Sequence, residues 1–408
     1  MRILVQKFGG TSVRTAEARA AAIEKVIAAK KGGYAPVVVV SAMGRQGDPY
    51  ATDTLLNYAR EAAGGPINPR DNDMLLSCGE IISAVVVSAA FEARGYSAHA
   101  VTGWQAGIVT DERFGNASYH EVDTTRLLEI LKAGIIPVVA GFQGISRKGD
   151  ITTLGRGGSD TTAAILGAAL KAEAVEIYTD VDGIMTADPR MVPEARVLPQ
   201  VSYNEVFQMA DHGARVIHPR AVEIAMRGNV PLIVRNTVGE CAGTRISSDR
   251  EEMDESMFDV LSGIACMGRR AQLCIESVTP AMVKTMLRTL AEQGISIDLI
   301  NIFPDSVVFT IDEDKAPAAV GLLEDLHCSY QAKLGCSKVS AVGSRMRGVP
   351  GVMARIIRAL ADADIAVLQT SDSHMTISCL VATEDAQHAV KALHDEFKLA
   401  QYLQNTSA

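Results

Sequence analysis

Near the start of the chain stands the segment Lys7-Phe8-Gly9-Gly10-Thr11-Ser12, which joins an apolar, strand-like run at residues 3–8 to a helical pattern that begins near Ala16. Two adjacent glycines let backbone N–H groups approach an anion closely, and the hydroxyl residues after them can cap the helix. The segment is not an ATP-binding P-loop, because its lysine precedes the glycines. It predicts an anion-binding turn, and a purely structural turn with a surface lysine is the alternative.

The alternation of apolar runs with helical patterns continues through the first half of the chain. Further strands are predicted at residues 36–41, 135–140, 175–179 and 232–235, and helices at 74–87, 160–171 and 203–210. The helix at 74–87 shows a periodic face made by Met74, Cys78, Ile81 and Val85. This order implies an α/β domain with a mostly parallel central sheet and helices on both faces. Its ligands should bind beyond the carboxyl ends of the strands.

A second glycine-rich segment is Leu154-Gly155-Arg156-Gly157-Gly158-Ser159-Asp160, which again precedes a helical pattern. Backbone N–H groups together with a guanidinium would hold a phosphate or a carboxylate in a forked geometry. The alternative is a flexible glycine loop with a solvated arginine. Two such anion sites in one α/β domain favour a phosphoryl-transfer enzyme with two anionic substrates.

A third polar segment, Tyr178-Thr179-Asp180-Val181-Asp182-Gly183, follows a predicted strand and continues to Asp188-Pro189-Arg190. Its aspartates could bind Mg²⁺ or the hydroxyls of a nucleotide, and Arg190 could reach a phosphate. A polar turn with aspartate caps explains the segment equally well.

Composition limits the classes of protein to which the chain can belong. It has 408 residues, 48% hydrophobic and 21% charged, with a net charge of −9. An acidic chain of this kind is a poor ligand for nucleic acid or anionic membranes. The strand-like start at Met1 predicts no signal peptide, and the 7 cysteines lack a Cys-x-x-Cys pair. We therefore expect a cytoplasmic protein with reduced thiols.

The last third of the chain contains an internal repeat. Its first copy is marked by Pro280, Val283, Leu287 and Leu290 and its second by Pro350, Met353, Ile357 and Leu360. The offset is about 70 residues, and each copy reads strand-helix-strand-strand-helix, which predicts two ferredoxin-like units. A polar, acidic stretch before the repeat indicates a linker.

The three segments together resemble the signatures of aspartate kinases, which have the amino acid kinase fold, and the repeat resembles the pair of ACT domains that regulates such enzymes. Residues 102–107, 140–144 and 212–219 look like further family segments, and the arrangement is most similar to the monofunctional bacterial form of Bacillus type. The resemblance implies a catalytic domain at 1–246, a linker at 247–262, and ACT units at 263–335 and 336–408.

The resemblance also implies an activity, namely transfer of the γ-phosphoryl group of ATP, with Mg²⁺, to the β-carboxylate of L-aspartate. This is the first step of lysine, diaminopimelate, threonine and methionine biosynthesis. The implied catalytic residues are Lys7, Arg156 and Asp160. The implied aspartate-binding residues are Ser41, Glu80, Arg156 and Ser159. The implied nucleotide-binding residues are Lys7, Gly9, Gly10, Thr11, Ser12, Thr179, Asp180, Arg190 and Arg215. No protein-bound metal site is implied.

Two positions depart from the family pattern. Many relatives have lysine in place of Arg215 and a tyrosine near Met185, so the nucleotide contacts at these two positions stay open. His212 and His218 are expected to be loop or cap residues, because attack by a carboxylate requires no proton transfer.

ACT units imply control by an end-product amino acid, for which lysine, threonine and meso-diaminopimelate are all candidates. The implied effector-binding residues are Met282, Asp298, Asn301, Val352, Gln369, Thr370 and Asp372. A homo-oligomer through the ACT units is expected, and Met253 and Met257 allow an internally started regulatory subunit. A pair that serves only for dimerisation is the alternative.

Two rival functions are also compatible with the sequence. The first is a kinase of the same fold that acts on glutamate, N-acetylglutamate or a nucleotide. The second is a catalytically silent amino acid sensor, which the presence of Lys7, Arg156 and Asp160 disfavours.

Overall fold

The computed structural model of the chain describes residues 1–44, 46–214, 216–248, 260–344, 346 and 349–401. These residues form two compact units. The first consists of Met1–Ile184, Val197–Phe207 and the described part of 215–251, and the second of Met185–Arg196, Gln208–Ala214 and the described part of 252–408. Arg215 and the methionines at 253 and 257 lie outside the described residues.

The elements up to residue 248 follow the order that the sequence predicts. They are β1 (Arg2–Phe8), α1 (Gly10–Arg14), α2 (Ala16–Lys31), β2 (Tyr34–Val40), α3 (Thr52–Ala63), α4 (Pro69–Glu92), β3 (Ala98–Val101), β4 (Ile108–Thr110), β5 (Tyr119–Val122), α5 (Thr125–Lys132), β6 (Ile136–Ala140), β7 (Gln143–Ser146), β8 (Ile151–Thr153), α6 (Gly158–Ala169), β9 (Ala174–Thr179), β10 (Gln200–Ser202), α7 (Tyr203–Asp211), α8 (Pro219–Arg227), β11 (Leu232–Asn236) and β12 (Thr244–Ser247).

Eight described strands of the first unit form one sheet in the order β10-β12-β11-β9-β1-β2-β6-β3. All neighbours in this sheet pair in parallel except β11 and β12. The valine- and isoleucine-rich strands β2 and β6 are buried along most of their length, as expected for a parallel sheet covered on both faces. The predicted mostly parallel α/β fold is confirmed.

The register of the sheet brings several loops to one edge. Lys7 on β1 pairs with Val39 on β2 and with Ile177 on β9, so the carboxyl ends of these three strands coincide. The glycines after β1, Ser41 after β2 and Thr179 at the end of β9 therefore lie at the same edge. A smaller four-stranded sheet, β5-β4-β7-β8, leads into the loop that contains Arg156.

Helix α4 is turned the opposite way from what its apolar pattern suggests. Met74 and Val85 are 56% and 54% exposed, whereas Asp73 and Glu80 on the inward side are buried. By length and composition this helix could cross a membrane, but half of its most apolar window is buried inside the unit. The burial of two acidic side chains identifies it as a core helix of the first unit.

The second unit contains the repeat that the sequence predicts. Its elements are β13 (Gly263–Glu276), α9 (Pro280–Glu292), β14 (Ile300–Ile302), β15 (Ser306–Asp312), α10 (Ala316–Asp325), β16 (Ser329–Val342), α11 (Val352–Asp362), β17 (Gln369–Asp372), β18 (Thr376–Ala382) and α12 (Ala386–Glu396). The described strands form a six-stranded antiparallel sheet in the order β14-β15-β13-β16-β18-β17.

Strands β13 and β16 are each 14 residues long and are shared by the two repeats. The second half of β13 pairs with β15, while residues 263–267 pair with 338–342, which in turn pair with β18. The first residues of β13 therefore complete the sheet of the second repeat. For this reason the predicted boundary between residues 335 and 336 falls inside a strand.

Met185–Arg196, called here the strap, is built into the second unit. Its side chains Ala187, Val192 and Ala195 are buried in the same hydrophobic cluster as Val339 and Ile356. The backbone N–H of Ile264 donates to the carbonyl of Thr186 at 2.7 Å. Chain position places the strap in the predicted catalytic domain at 1–246, but the apolar burial of its side chains places it in the second unit.

Candidate active site

A cleft of about 300 Å³ opens at the carboxyl edge of the main sheet, within the first unit. Its lining brings together segments that are far apart in the sequence. The lining residues are Lys7, Gly10, Ser41, Ala42, Gly44, Thr52, Glu80, Phe142, Gly155, Arg156, Gly157, Gly158, Ser159 and Asp160. The β1 segment and the Arg156 segment thus face one cavity, as two adjacent anion sites would require.

Lys7 and Asp160 form an ion pair in this cleft. Lys7 Nζ lies 2.6 Å from Asp160 Oδ1, and the two side chains are 11% and 14% exposed. Strand β1 fixes Lys7 along the sheet, and the first turn of α6 fixes Asp160. A cation held in low-dielectric surroundings interacts with phosphate more strongly than a solvated one. The ion pair with Asp160 therefore fixes the direction of the Lys7 ammonium group in the cleft.

The turn after β1 packs so closely that it admits only glycine at residue 10. A Cβ atom on Gly10 would lie 2.6 Å from the carbonyl oxygen of Ala42. The backbone N–H of Gly44 donates to the carbonyl of Gly10 at 3.2 Å, which fixes the loop after β2 against this turn. Ser41 is held in the same way, since its N–H donates to the carbonyl of Phe8 at 3.1 Å.

The loop from Gly155 to Asp160 ends in the first turn of α6, where the N-cap residue Gly157 has φ of 68° and makes no side-chain capping bond. The N–H of Gly158 donates to the carbonyl of Gly155 at 3.0 Å, whereas the N–H groups of Ser159 and Asp160 have no partner among the described residues. These two groups are left for a ligand, and the helix dipole favours an anion there. A Cβ atom on Gly157 would lie 2.3 Å from the ring of His218. Arg156 is exposed in the cleft and makes no ion pair within the part of the chain that the structure describes.

Glu80 supplies a buried carboxylate to the cleft. One of its oxygens accepts the backbone N–H of Ala42 at 3.1 Å, and Oε2 has no partner among the described residues. Burial raises the pKa of Glu80 to about 8, although the N–H of Ala42 opposes this shift. An unpaired carboxylate oxygen directed into a polar cleft fits an ammonium group of a ligand.

Thr237 connects two loops beside the cleft. Its hydroxyl donates to the carbonyl oxygen of Thr179 at 3.1 Å and lies 2.6 Å from the hydroxyl of Ser12. Because Thr237 has used its only proton, Ser12 must donate to Thr237. The backbone N–H of Ser12 is also occupied, by the carbonyl of Gly9. Ser12 therefore holds the turn after β1 in place and has no hydrogen left to donate to a ligand, which differs from its predicted role in binding phosphate.

The other predicted nucleotide residues are distributed over two places. Thr179 and Asp180 lie at the carboxyl end of β9, and the hydroxyl of Thr179 donates to Asp180 Oδ1 at 3.2 Å. Arg190 belongs to the strap, where its guanidinium forms an ion pair with Asp188 at 2.6 Å. Arg215 lies outside the described residues. Met185 packs on the hydrophobic cluster of the second unit.

Phe142 is a cleft residue to which no role was assigned from the sequence. Its φ of 71° is rare for a residue with a side chain, and its N–H donates to the hydroxyl of Thr162 at 3.0 Å. Such strained backbone is concentrated at functional sites. The sequence offered one indication of its importance. Phe142 lies in the segment 140–144, just after the predicted strand at 135–140. His218 accepts the N–H of Arg220 as the N-cap of α8.

The predicted effector residues lie in the second unit. Gln369 Nε2 donates to Asn301 Oδ1 at 2.6 Å, so the corresponding strands of the two repeats are in contact. Asp298 forms ion pairs with Lys338 at 2.6 Å and with Arg270 at 3.2 Å. Met282 lies in the first turn of α9, and Val352 is buried at the start of α11. Thr370 and Asp372 lie on β17.

Known proteins are similar to this chain over both units. The chain matches the amino acid kinase family over residues 2–236 and the ACT domain over residues 331–395. Aspartokinase 1 of Bacillus subtilis (strain 168) is 46% identical to it over 406 residues, which cover 98% of this chain and 100% of that protein.

Solved structures of an Escherichia coli enzyme agree as well. Aspartokinase III in complex with aspartate and ADP, in the R-state, is 26% identical and has a TM-score of 0.78, covering 97% of this chain and all of that one. The same enzyme with lysine and aspartate, in the T-state, is 28% identical with a TM-score of 0.75, covering 97% and 99%. The match in sequence, fold and domain content is continuous along the chain, and the protein belongs to the aspartokinase family.

Proposed function

We propose that the cleft of the first unit is where this chain carries out the aspartokinase reaction, with Lys7 and Arg156 as the two cations that hold the reacting groups. The reaction transfers the γ-phosphoryl group of ATP to the β-carboxylate of L-aspartate and begins the synthesis of lysine, threonine and methionine. The convergence of Lys7, Glu80 and Arg156 on one cavity is the observation that supports this assignment most.

The chemistry of the acceptor explains the choice of residues. A carboxylate with an ordinary pKa near 3.9 is ionised at pH 7 and attacks without a general base. The difficulty is that one anion must approach another. Catalysis then depends on alignment and on cations, and Lys7, held by Asp160, is the cation directed at the transferring phosphoryl group.

Aspartate has three charged groups, and the cleft offers a partner to two of them, the α-carboxylate and the ammonium group. Arg156 can take the α-carboxylate in a bidentate geometry. Glu80 can take the ammonium group through its unpaired oxygen. Ser41 and Ser159 add polar groups to the walls of the cleft. The β-carboxylate is then left to face the phosphoryl group, because the other two groups of the substrate are occupied.

The nucleotide is proposed to bind along the turn after β1 and the loop after β9. Backbone N–H groups at Gly10 and Thr11 serve the phosphates, and Thr179 with Asp180 serves the nucleoside. The predicted N–H of Gly9 is already used, because it donates to the carbonyl of Tyr178 at 3.3 Å. Mg²⁺ is proposed to arrive with the nucleotide, as MgATP, with oxygen ligands that come mainly from the phosphates.

Regulation is proposed to act through the second unit. An end-product amino acid would bind at Asp298 and at strands β14 and β17, which carry Asn301, Gln369 and Thr370, and shift a two-state equilibrium of the enzyme. We further propose that the active species is a cytoplasmic homo-oligomer joined through the ACT repeats. The support is the family to which the chain belongs and the exposed Ile302 and Phe303 beside edge strand β14.

A hydroxamate assay with MgATP tests the proposal. Aspartate should give acyl phosphate, whereas glutamate and N-acetylglutamate should not. UMP has no carboxylate and cannot give a hydroxamate, so it is tested by the release of ADP, which it should not cause. The assay is repeated with lysine, threonine and diaminopimelate to identify the effector. Binding of an amino acid in calorimetry without any turnover of aspartate would instead support a catalytically silent sensor.

A further inference from the structure

Asp73 is a carboxylate for which the reaction has no direct use, and it is completely buried. It lies in the first half of α4, two turns before Glu80, and it is not among the residues that line the cleft. Burial raises the pKa of Asp73, so the side chain is kept there against a desolvation cost. The hydrogen bonds of the carboxylate show which part of the structure it stabilises.

All three hydrogen bonds of Asp73 go to the segments that carry the Arg156 loop. Oδ2 accepts the backbone N–H of Thr153 at 2.7 Å and that of Gly115 at 2.9 Å. Oδ1 accepts the hydroxyl of Thr153 at 2.9 Å. Thr153 is the last residue of β8, and Arg156 follows three residues later. The carboxylate thus fixes the point at which the loop leaves the sheet.

Gly115 takes part because the turn at residues 115–117 lies directly against the loop. A Cβ atom on Gly155 would lie 2.8 Å from Asn116 Oδ1 and 3.1 Å from the carbonyl oxygen of Gly115. The N–H of Ala117 also donates to the carbonyl of Thr153 at 2.9 Å. Movement of this turn would therefore displace Gly155, which immediately precedes Arg156.

Arg220 holds the same two segments from helix α8. Its guanidinium donates to the carbonyl of Leu154 at 2.9 Å and to that of Ala117 at 2.6 Å. Asp73 takes N–H and O–H donors of the two segments, and Arg220 takes their carbonyl acceptors. The two side chains are 147 residues apart in the chain, yet they bind the donors and the acceptors of the same two backbone segments.

We infer that Asp73 and Arg220 are positioning residues for aspartate recognition, which set the place of Arg156 without touching the substrate themselves. This inference rests on the proposed role of Arg156 at the α-carboxylate. A guanidinium misplaced by about 1 Å loses its bidentate geometry, and errors of that size are costly in preorganised sites. Binding of aspartate, not of ATP, is the step that should depend on these two residues.

The experiment measures kcat, the KM for aspartate, the KM for ATP and the Tm of the full chain. Asp73→Asn, which keeps the shape but loses acceptor capacity, should raise the KM for aspartate about tenfold, as for one buried hydrogen bond lost. Thr153→Val should raise it by about threefold, since one of the three bonds is removed. Thr153→Ser keeps that bond and should behave as the wild type. The KM for ATP should stay within about twofold in all of them.

A matched control is available in Glu205, another buried carboxylate of the first unit. Its side chain accepts hydrogen bonds from the N–H and the hydroxyl of Ser202, at the edge strand β10. Glu205→Gln should lower the Tm and leave the KM for aspartate unchanged. If Asp73→Asn fails to fold, Arg220→Lys, which can reach only one of the two carbonyls, replaces it.

The outcomes separate this inference from the proposed function. The positioning role is supported by two results together. Arg156→Ala and Asp73→Asn should each raise the KM for aspartate when made alone. Asp73→Asn should cause no further rise in that KM when it is added to Arg156→Ala. If Arg156→Ala raises it while Asp73→Asn, Thr153→Val and Arg220→Lys behave as Glu205→Gln does, only the positioning role is overturned. A normal KM for aspartate in Arg156→Ala overturns the role of Arg156, and the inference with it.

Discussion

Lys7 Nζ and Asp160 Oδ1 lie 2.6 Å apart, although 153 residues separate them in the chain. The strand end and the helix start that carry them meet at the carboxyl edge of the sheet. An almost buried ion pair of this kind costs desolvation free energy, and its value here is that it orients a cation towards the cleft.

The first prediction concerns this pair. Lys7→Met should lower kcat about 10²- to 10³-fold, because one well-placed donor to the developing charge is lost. Asp160→Asn should also lower kcat, and the double variant should be no worse than Lys7→Met, since the two residues act as a unit. Glu173→Gln breaks the exposed pair between Glu173 and Arg2, which begins the strand that carries Lys7, and serves as the control with normal activity. Additive losses in the double variant would contradict the coupling.

The second prediction is that aspartate binding releases a proton. Glu80 has a pKa of about 8 in the empty cleft, so it is mainly protonated at pH 7, and an arriving ammonium group favours its ionised form. The affinity for aspartate should therefore rise between pH 7 and pH 8.5. Calorimetry in buffers of different ionisation enthalpy measures the proton directly. Glu80→Gln should bind aspartate weakly and release no proton, and identical release by this variant would exclude Glu80 as the source.

The third prediction concerns stability and pH. The pKa of Glu80 is raised on folding from 4.5 to about 8, so the native state holds a proton that the unfolded state has lost between these two values. The contribution of Glu80 to the free energy of unfolding should therefore be largest near or below pH 4.5 and should fall by a few kcal/mol towards pH 8. In Glu80→Gln this part of the pH dependence should vanish. Denaturant titrations at pH 5.5 and pH 8 compare the two proteins.

The fourth prediction uses two glycines of similar backbone conformation. Gly157 and Gly149 have φ of 68° and 89°, and only Gly157 has a neighbour where a Cβ atom would go. Gly149→Ala should cost about 1–3 kcal/mol of stability from backbone strain and keep activity. Gly157→Ala should in addition displace His218 or the start of α6 and strongly reduce kcat. Equal activity of the two variants would show that the loop tolerates the displacement.

The fifth prediction concerns the effector. Thr370→Ala and Asp372→Asn on β17 should raise the concentration of amino acid needed for half inhibition by about tenfold while kcat stays normal, because the effector stabilises only one of two states. Asp362→Asn, at the exposed end of α11, makes the same charge change away from β17. Unaltered inhibition in both β17 variants would favour a pair of repeats that serves only for assembly.

The sequence predicted much of the fold from local pattern. Apolar runs ending in glycine and polar segments located the carboxyl ends of β1, β2, β6 and β9, and parallel pairing then placed Lys7, Ser41 and Thr179 at one edge of the main sheet. The repeat was predicted correctly because each copy carries its own helix and strand periodicity. These features depend on residues that are neighbours along the chain.

Other features depended on packing between distant segments. The apolar periodicity of α4 predicted that Met74 and Val85 are buried, yet Asp73 and Glu80 are the buried residues. Their carboxylates accept hydrogen bonds from partners 35 or more residues away in the chain. The shared strand β16 and the place of the strap were missed for the same reason. No local pattern shows which of two cores a short apolar segment will enter.

The strap has a consequence for any shorter product that starts after residue 252. Such a polypeptide would contain every strand of the regulatory unit but would lack three pieces of its interior, Ala187, Val192 and Ala195. It would be left with an open apolar groove and with Thr186 missing from beside the buried ring of His394. A synthetic peptide of residues 185–196 should fill that groove and restore thermal stability. The second unit would then have a complete sheet when it is made alone, but its hydrophobic core would need the strap.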